Sequence, residues 1–364
     1  MGRRYNLLQL LVLSFAAQIF IYNRLKSSGV HKSIIIGLIL WGVFWVFTDT
    51  IAGYDFDSPF VEIFPGRWAE ILRSLAMTWI IITVLAFFSF LAVDVLSWLT
   101  GFKTRKILCS VILTVIGTVY CMCEAYFVTS RHIVIPTSKL PEGTERIRIA
   151  FLTDVHIGGL STYSYFQRVI SLVNESEPDI LLLGGDIIDG RMKGYREREL
   201  SLLSETIKNI PYGAYAVNGN HEYYHLLDED VEGIIRDCGA KMLIFERAEV
   251  AGIVIIGLDD ALYGWLSPYM KPDDKDKFVL VLKHRPGLPF DSEGKFDLML
   301  SGHTHNGQFW PLGYFKNMSQ HSTQGLSRKA GGYVYVSTGA GFNGPPMRLF
   351  TFPEVTIIDI VRES

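Results

Sequence analysis

Five short apolar runs in the C-terminal two-thirds of this chain each break off at Asp, Asn or His. Ile147–Leu152 runs into Thr153-Asp154-Val155-His156, and Ile180–Leu183 into Gly184-Gly185-Asp186. Ala214–Val217 leads to Gly219-Asn220-His221-Glu222, Phe278–Leu282 to Lys283-His284, and Leu298–Leu300 to Gly302-His303-Thr304-His305. Short apolar runs bounded by Gly, Pro and Asp predict buried strands. Ile253–Leu258, Tyr333–Val336 and Val355–Val361 add three more strands, and Tyr163–Asn174 reads as a helix. Polar residues just past the carboxyl ends of strands are where α/β sheets gather ligands. The second half has strands with few long helices between them, which argues for two packed sheets flanked by helices.

The first ~130 residues obey another rule. Four stretches there approach the roughly 20 apolar residues that cross a bilayer: Leu7–Tyr22, Ile34–Phe47, Leu75–Val93 and Ile107–Val128. Only 20% of the 364 residues are charged and 49% are hydrophobic, against about 25% charged in an ordinary globular chain. Residues 1–130 are therefore expected to form a transmembrane anchor of about four helices, 131–145 a linker containing Pro136 and Pro141, and 146–364 a separate domain. Arg24, Lys26 and Lys32 mark the first loop, and Lys103, Arg105 and Lys106 the third. Asp49, Asp55, Asp57 and Glu62 lie in the second. An excess of positive charge on cytoplasmic loops then makes the chain a multi-pass protein of a plasma or inner membrane, with the C-terminal domain extracytoplasmic. Arg3 and Arg4 argue for the opposite orientation, and one span fewer would reverse it. Asp94 and Glu124, near span ends, read as interfacial groups.

The net charge of −3 provides no basic field to attract nucleic acid, so no nucleic-acid partner is expected. Three of the four cysteines, Cys109, Cys121 and Cys123, lie in an apolar stretch, and Cys238 stands alone. They form neither a disulfide framework nor a zinc pattern.

The strand-end residues are chemically coherent. Carboxylates, neutral imidazoles and an amide oxygen suit a pair of divalent cations, Mn2+ first, with Fe, Zn or Mg also compatible. One carboxylate can bridge two ions about 4 Å apart, and no serine or cysteine nucleophile is then required. Each motif alone has an ordinary reading as a polar turn or solvated loop. Their ordered combination, which takes five of the nine histidines to strand ends, is much harder to produce by chance.

The set Asp154-x-His156, Gly185-Asp186, Gly219-Asn220-His221-Glu222, His284 and Gly302-His303-x-His305 resembles the calcineurin-like metallophosphoesterase superfamily. Gly344-Pro345-Pro346-Met347-Arg348 and the apolar N-terminal stretches bring it closer to the branch of transmembrane proteins with a metallophosphoesterase domain. The resemblance implies a four-layer α/β/β/α sandwich from about Arg146 onward, behind a bundle of transmembrane helices. It implies that Asp154, His156 and His305 hold one metal, that Asn220, His284 and His303 hold the other, and that Asp186 bridges them. His221 is implied to contact phosphate and assist the leaving group, with Glu222 orienting or polarising it; many relatives carry Asp at that position. Gly185-Asp186-Ile187-Ile188-Asp189-Gly190 partly echoes the second motif of protein phosphatases, but Gly190 stands where they have Arg. Arg191 could bind phosphate or be a solvated loop charge, Asp259 and Asp260 read as supporting residues, and Arg348 either meets substrate or fixes its loop.

The function expected is hydrolysis of a phosphomonoester, phosphodiester or pyrophosphate beside a bilayer, the substrate being a phosphate ester, with lipid-linked and nucleotide-linked glycolipids among the candidates. Some relatives in the branch cleave the pyrophosphate of UDP-diacylglucosamine, which makes such a glycolipid a first substrate to consider. A cytoplasmic nucleotide pool conflicts with the orientation above. The apolar loop Leu262-Tyr263-Gly264-Trp265-Leu266 is either a headgroup contact or packed core. The rival readings are a non-catalytic scaffold on the same fold, a protein phosphatase, and a transporter whose spans are the working part.

Overall fold

The computed structural model describes residues 2–31, 38, 40–42, 67–103, 105–189, 196–223, 230–259, 264–310, 313 and 323–363. The chain divides into two units, Met1–Cys123 and Glu124–Ser364.

The first unit contains α1 (Gly2–Ser27), α2 (Arg67–Thr100) and most of α3 (Lys106–Tyr126). Among the described residues, two helical stretches are long and apolar enough to cross a membrane, Ser74–Thr100 and Lys106–Tyr126. They cover the third and fourth predicted spans. The first falls within α1, and most of Ile34–Phe47 lies outside the described residues. Threonine hydroxyls inside these apolar helices return to their own backbone: Thr83 donates to the Trp79 carbonyl (2.9 Å) and Thr114 to that of Ser110 (2.8 Å). Such bonds satisfy the hydroxyl without a partner from water. Asp94 is bound by Arg24 (2.5 Å) and approached by Lys106 (3.7 Å), so it is an ion-paired group.

Among the described residues, the second unit is a sandwich of two six-stranded sheets. Its strands are β1 (Thr129–Thr137), β2 (Arg146–Leu152), β3 (Ile180–Leu183), β4 (Ala214–Ala216), β5 (Ala240–Met242), β6 (Glu246–Val250), β7 (Ile253–Leu258), β8 (Phe278–Lys283), β9 (Leu298–Ser301), β10 (Gly325–Lys329), β11 (Gly332–Val336) and β12 (Glu354–Arg362). One sheet runs β1-β12-β2-β3-β4-β5 and the other β10-β11-β9-β8-β7-β6. Alternate side chains of a strand face opposite ways, and this divides each apolar run between two cores. Ile147, Ile149, Phe151, Ile180 and Leu182 meet Ile255, Leu280, Leu282, Leu298 and Leu300 between the sheets. Ala150, Leu152, Leu181 and Leu183 face outward, against α4 (Tyr163–Glu175), α5 (Glu197–Lys208) and α6 (Val231–Asp237). α4 starts where the Thr162 hydroxyl accepts from the Tyr165 amide, and it buries Phe166, Val169, Ile170 and Val173. On the far side Val254, Ile256, Val279, Val281 and Met299 pack under Leu266, Tyr269 and Met270.

The architecture is the α/β/β/α sandwich expected. Its fourth layer, among the described residues, consists of short 3-10 turns at Ser267–Tyr269 and Pro272–Asp276. The segment read as a linker differs from expectation. Nine of its and the neighbouring residues form β1, which pairs in parallel with β12 from Thr129–Glu354 to Thr137–Arg362. Pro136 is compatible with that strand because β1 is an edge, where a missing N–H breaks no ladder.

Candidate metal centre

The loops after β2, β3, β4, β8 and β9 interlock through their backbones. The Asp154 amide donates to the Gly185 carbonyl (3.0 Å), His156 to Asp186 (3.0 Å), and Gly302 to His284 (2.9 Å). Asp154, His156, Asp186, His303 and His305 all hold left-handed backbones, with φ of 55°, 54°, 51°, 66° and 47°. Each such residue costs on the order of 1 kcal/mol or more, strain that persists where the surroundings over-determine it, as at functional sites. Close approach also limits what the glycines can become. A Cβ on Gly219 would overlap the Asp186 carboxylate, and one on Gly302 the Asp154 carboxylate.

Three groups of donors result, each with ligand atoms within 4.8 Å of one another: Asp154, His156 and His305; Asp186, His284 and His303; and His156, Asp189 and His221, which shares His156 with the first. Within the first, His305 Nε2 lies 3.3 Å from Asp154 Oδ1 and 3.2 Å from His156 Nε2. Within the second, His284 Nε2 lies 3.1 Å from Asp186 Oδ2 while its Nδ1 meets the Gly184 carbonyl at 2.8 Å. That carbonyl contact fixes the ring so that Nε2 faces the carboxylate. Imidazole nitrogens gathered with carboxylates at these distances could hold a cation, and oxygen–imidazole sets of this kind suit divalent transition ions. The residues present therefore fit a metal pair. Burial raises the Asp154 pKa. For Asp186 burial acts the same way but is outweighed by His284 and His221, which hold its carboxyl well below the usual range.

Residues 147–307 match the calcineurin-like phosphoesterase family. An uncharacterised metallophosphoesterase of Aquifex aeolicus is 35% identical over 252 residues, covering 66% of this chain and 95% of the relative. The chain belongs to the calcineurin-like metallophosphoesterase family. A metallophosphoesterase of Campylobacter jejuni is 32% identical, with 61% of each chain covered. A zebrafish transmembrane protein with metallophosphoesterase domain is 31% identical, covering 62% of this chain and 55% of the relative. The chain thus spans little more than half the length of those last two relatives.

Seen as a metallophosphoesterase, the chain brings Asp154, His156, Asp186, His221, His284, His303 and His305 together, with one departure in role at Glu222. Asn220 is buried in the turn that presents His221, whose amide donates to Asp186 Oδ1 (2.7 Å). His221 Nε2 is 3.9 Å from Asp186 Oδ2, and its Nδ1 is 3.4 Å from Asp189 Oδ1. Glu222 was expected to orient His221. Instead its carboxylate accepts from the amides of Asp186 (2.8 Å), Ile187 (2.8 Å), Ile188 (3.2 Å) and Gly219 (2.8 Å). The side chain after His221 points back under the β3 loop, so it fastens two site loops, and Asp189 takes the place beside the imidazole. Burial, then the Asp186 charge, push the Glu222 carboxyl up to about 7 against those amide bonds.

Arg348 is fully buried. Its guanidinium donates to the carbonyls of Thr351 (2.7 Å) and Thr338 (2.9 Å), and packs 3.3 Å from His305 Nδ1. It fixes its loop through carbonyls, a role nearer to the second of the two expected. Asn343, which is exposed, places Nδ2 3.5 Å from Nε2 of the buried His221. Asp259 accepts from the Tyr223 hydroxyl. Arg191, Asp260, Leu262 and Tyr263 lie outside the described residues, whereas Trp265 is exposed against Phe290 and Leu266 is buried. Glu124, expected at an interface, is buried and accepts from the Thr351 amide (2.5 Å).

Proposed function

We propose that this chain is a membrane-anchored, metal-dependent phosphoester hydrolase acting on a phosphate ester, with Mn2+ the first metal to test. The observation that carries the reading is the meeting of two carboxylate–imidazole groups beside His221. Asp154, His156 and His305 would hold one cation and Asn220, His284 and His303 the other, with Asp186 between them. When bound, the ions would neutralise phosphoryl charge and lower the pKa of an attacking water. His221 would serve as the acid that protonates the leaving oxygen. Asp189, on its far nitrogen, would orient the ring and stabilise its charged form. Asn343 would help to position the phosphate. The apolar stretches Ser74–Thr100 and Lys106–Tyr126, and the relatives named as transmembrane proteins, support the anchor.

The test is turnover of bis(p-nitrophenyl) phosphate by the purified chain with added Mn2+. His221→Ala should retain its metal and lose roughly 10²–10⁴-fold in rate. No turnover of any phosphoester by folded, metal-loaded protein would favour a scaffold. Loss of metal in His221→Ala would make that residue a ligand.

A further inference from the structure

The loop that carries Arg348 continues into a set of exposed aromatic side chains. Phe350 and Phe352 follow it directly, Trp310 lies beside it through a bond from its amide to the Leu349 carbonyl (2.9 Å), and Phe127 stacks edge-on against Phe352 at 6.1 Å. All four are 42–63% exposed. Isolated exposed aromatics need no explanation, but four beside one loop form a patch.

The patch is fastened to the end of α3. Glu124, in the last helical turn, holds the Thr351 amide at 2.5 Å, and the Thr129 amide donates to the Pro353 carbonyl at 2.9 Å. Phe127 is the residue after Tyr126, where the apolar helix ends. With a rise of about 1.5 Å per residue, Phe127 cannot lie far from the level at which that helix leaves hydrocarbon. Phe352, in contact with it, lies at the same level. Aromatic rings at that depth favour the headgroup zone, where an apolar body and its polar surroundings are both accommodated.

The inner side of the same loop reaches the metal centre. Arg348 bonds the Thr351 carbonyl and packs on His305, and Gln308 Nε2 donates to the carbonyls of Pro345 (3.2 Å) and Met347 (3.0 Å) while its Oε1 accepts from the Asn343 amide (3.0 Å). We propose that the loop 349–353, with Phe127 and Trp310, docks on the phospholipid surface, so that the site at Asn343 and His221 receives phosphoesters carried by lipids. This rests on the reading of α3 as a membrane span.

The experiment uses the full chain in phospholipid nanodiscs, with its four cysteines replaced by alanine and single cysteines introduced for an environment-sensitive fluorophore. Phe350→Cys reports the loop, Ile116→Cys the exposed middle of α3, and Tyr212→Cys an exposed site at the start of β4, the strand end away from the metal centre. Hydrolysis of bis(p-nitrophenyl) phosphate checks that each labelled variant is folded. Nitroxide lipids labelled near the headgroup should quench position 350 several-fold more than position 212. Lipids labelled near the chain end should quench position 116. Position 350 behaving like 212 while 116 is quenched would overturn the docking and leave the span intact. If 116 also escapes quenching, the membrane reading fails and the docking fails with it.

Discussion

Glu222 shows how far a neighbour in sequence can be from a partner in space. It follows His221, yet its carboxylate collects four backbone amides from two loops. Glu222→Gln turns one acceptor oxygen into a donor against those N–H groups. The expected cost is roughly 1–3 kcal/mol of stability, read as a lower thermal midpoint of the metal-free protein. A variant that melts like the parent but loses its rate would restore the catalytic role. The candidate donors were legible because Asp154, His156, Asp186, His284, His303 and His305 each follow an apolar run. The partner of His221 was not. Asp189 lies three residues past Asp186 in a run that already echoed a phosphatase motif, but only the fold of the β3 loop brings it to Nδ1. The left-handed φ at five of these residues carried no signal in composition at all.

At the scale of elements, β2, β3, β7, β8 and β9 were readable because both their faces are buried. β6 and β10 are half-exposed edges whose sequences, Glu-Arg-Ala-Glu-Val and Gly-Leu-Ser-Arg-Lys, contain no apolar run. β1 was hidden by Pro136 and by the same partial exposure. Edge strands are specified by the neighbours they join, and a sequence window does not contain those neighbours. One cross-strand pair is accessible to measurement. Arg148 in β2 stands opposite Asp359 in β12 and bonds both carboxylate oxygens, at 2.7 and 3.0 Å. Hydrogen bonding from Arg148 holds the Asp359 carboxyl below its usual range. A carboxylate with a depressed folded-state pKa stabilises the fold above its unfolded value, near pH 4, and loses that contribution as pH falls through the folded value. Allowing for solvent screening, Asp359→Asn should cost about 1 kcal/mol at neutral pH. Urea midpoints of parent and variant should converge in acid; a constant gap down to pH ~2 would show the effect is not the ion pair.

For the molecule as a whole, donors from five loops on two sheets gather at one centre, so cations that bind there should stabilise both sheets together. A ligand at a hundredfold excess over its Kd adds about 2.7 kcal/mol to the folded state. Mn2+ should therefore raise the thermal midpoint and chelation reverse it, while Asp186→Asn should respond to neither; an equal response in that variant would remove Asp186 from the centre. The order of strands also bears on biosynthesis. β12, residues 354–362, lies between β1 and β2, which are the first two strands of its unit to leave the ribosome. Those early strands therefore wait without their shared neighbour until translation has passed residue 362. A message cut short before that point would yield a nascent product with two unzipped strands, material for chaperones and proteases rather than a shortened enzyme.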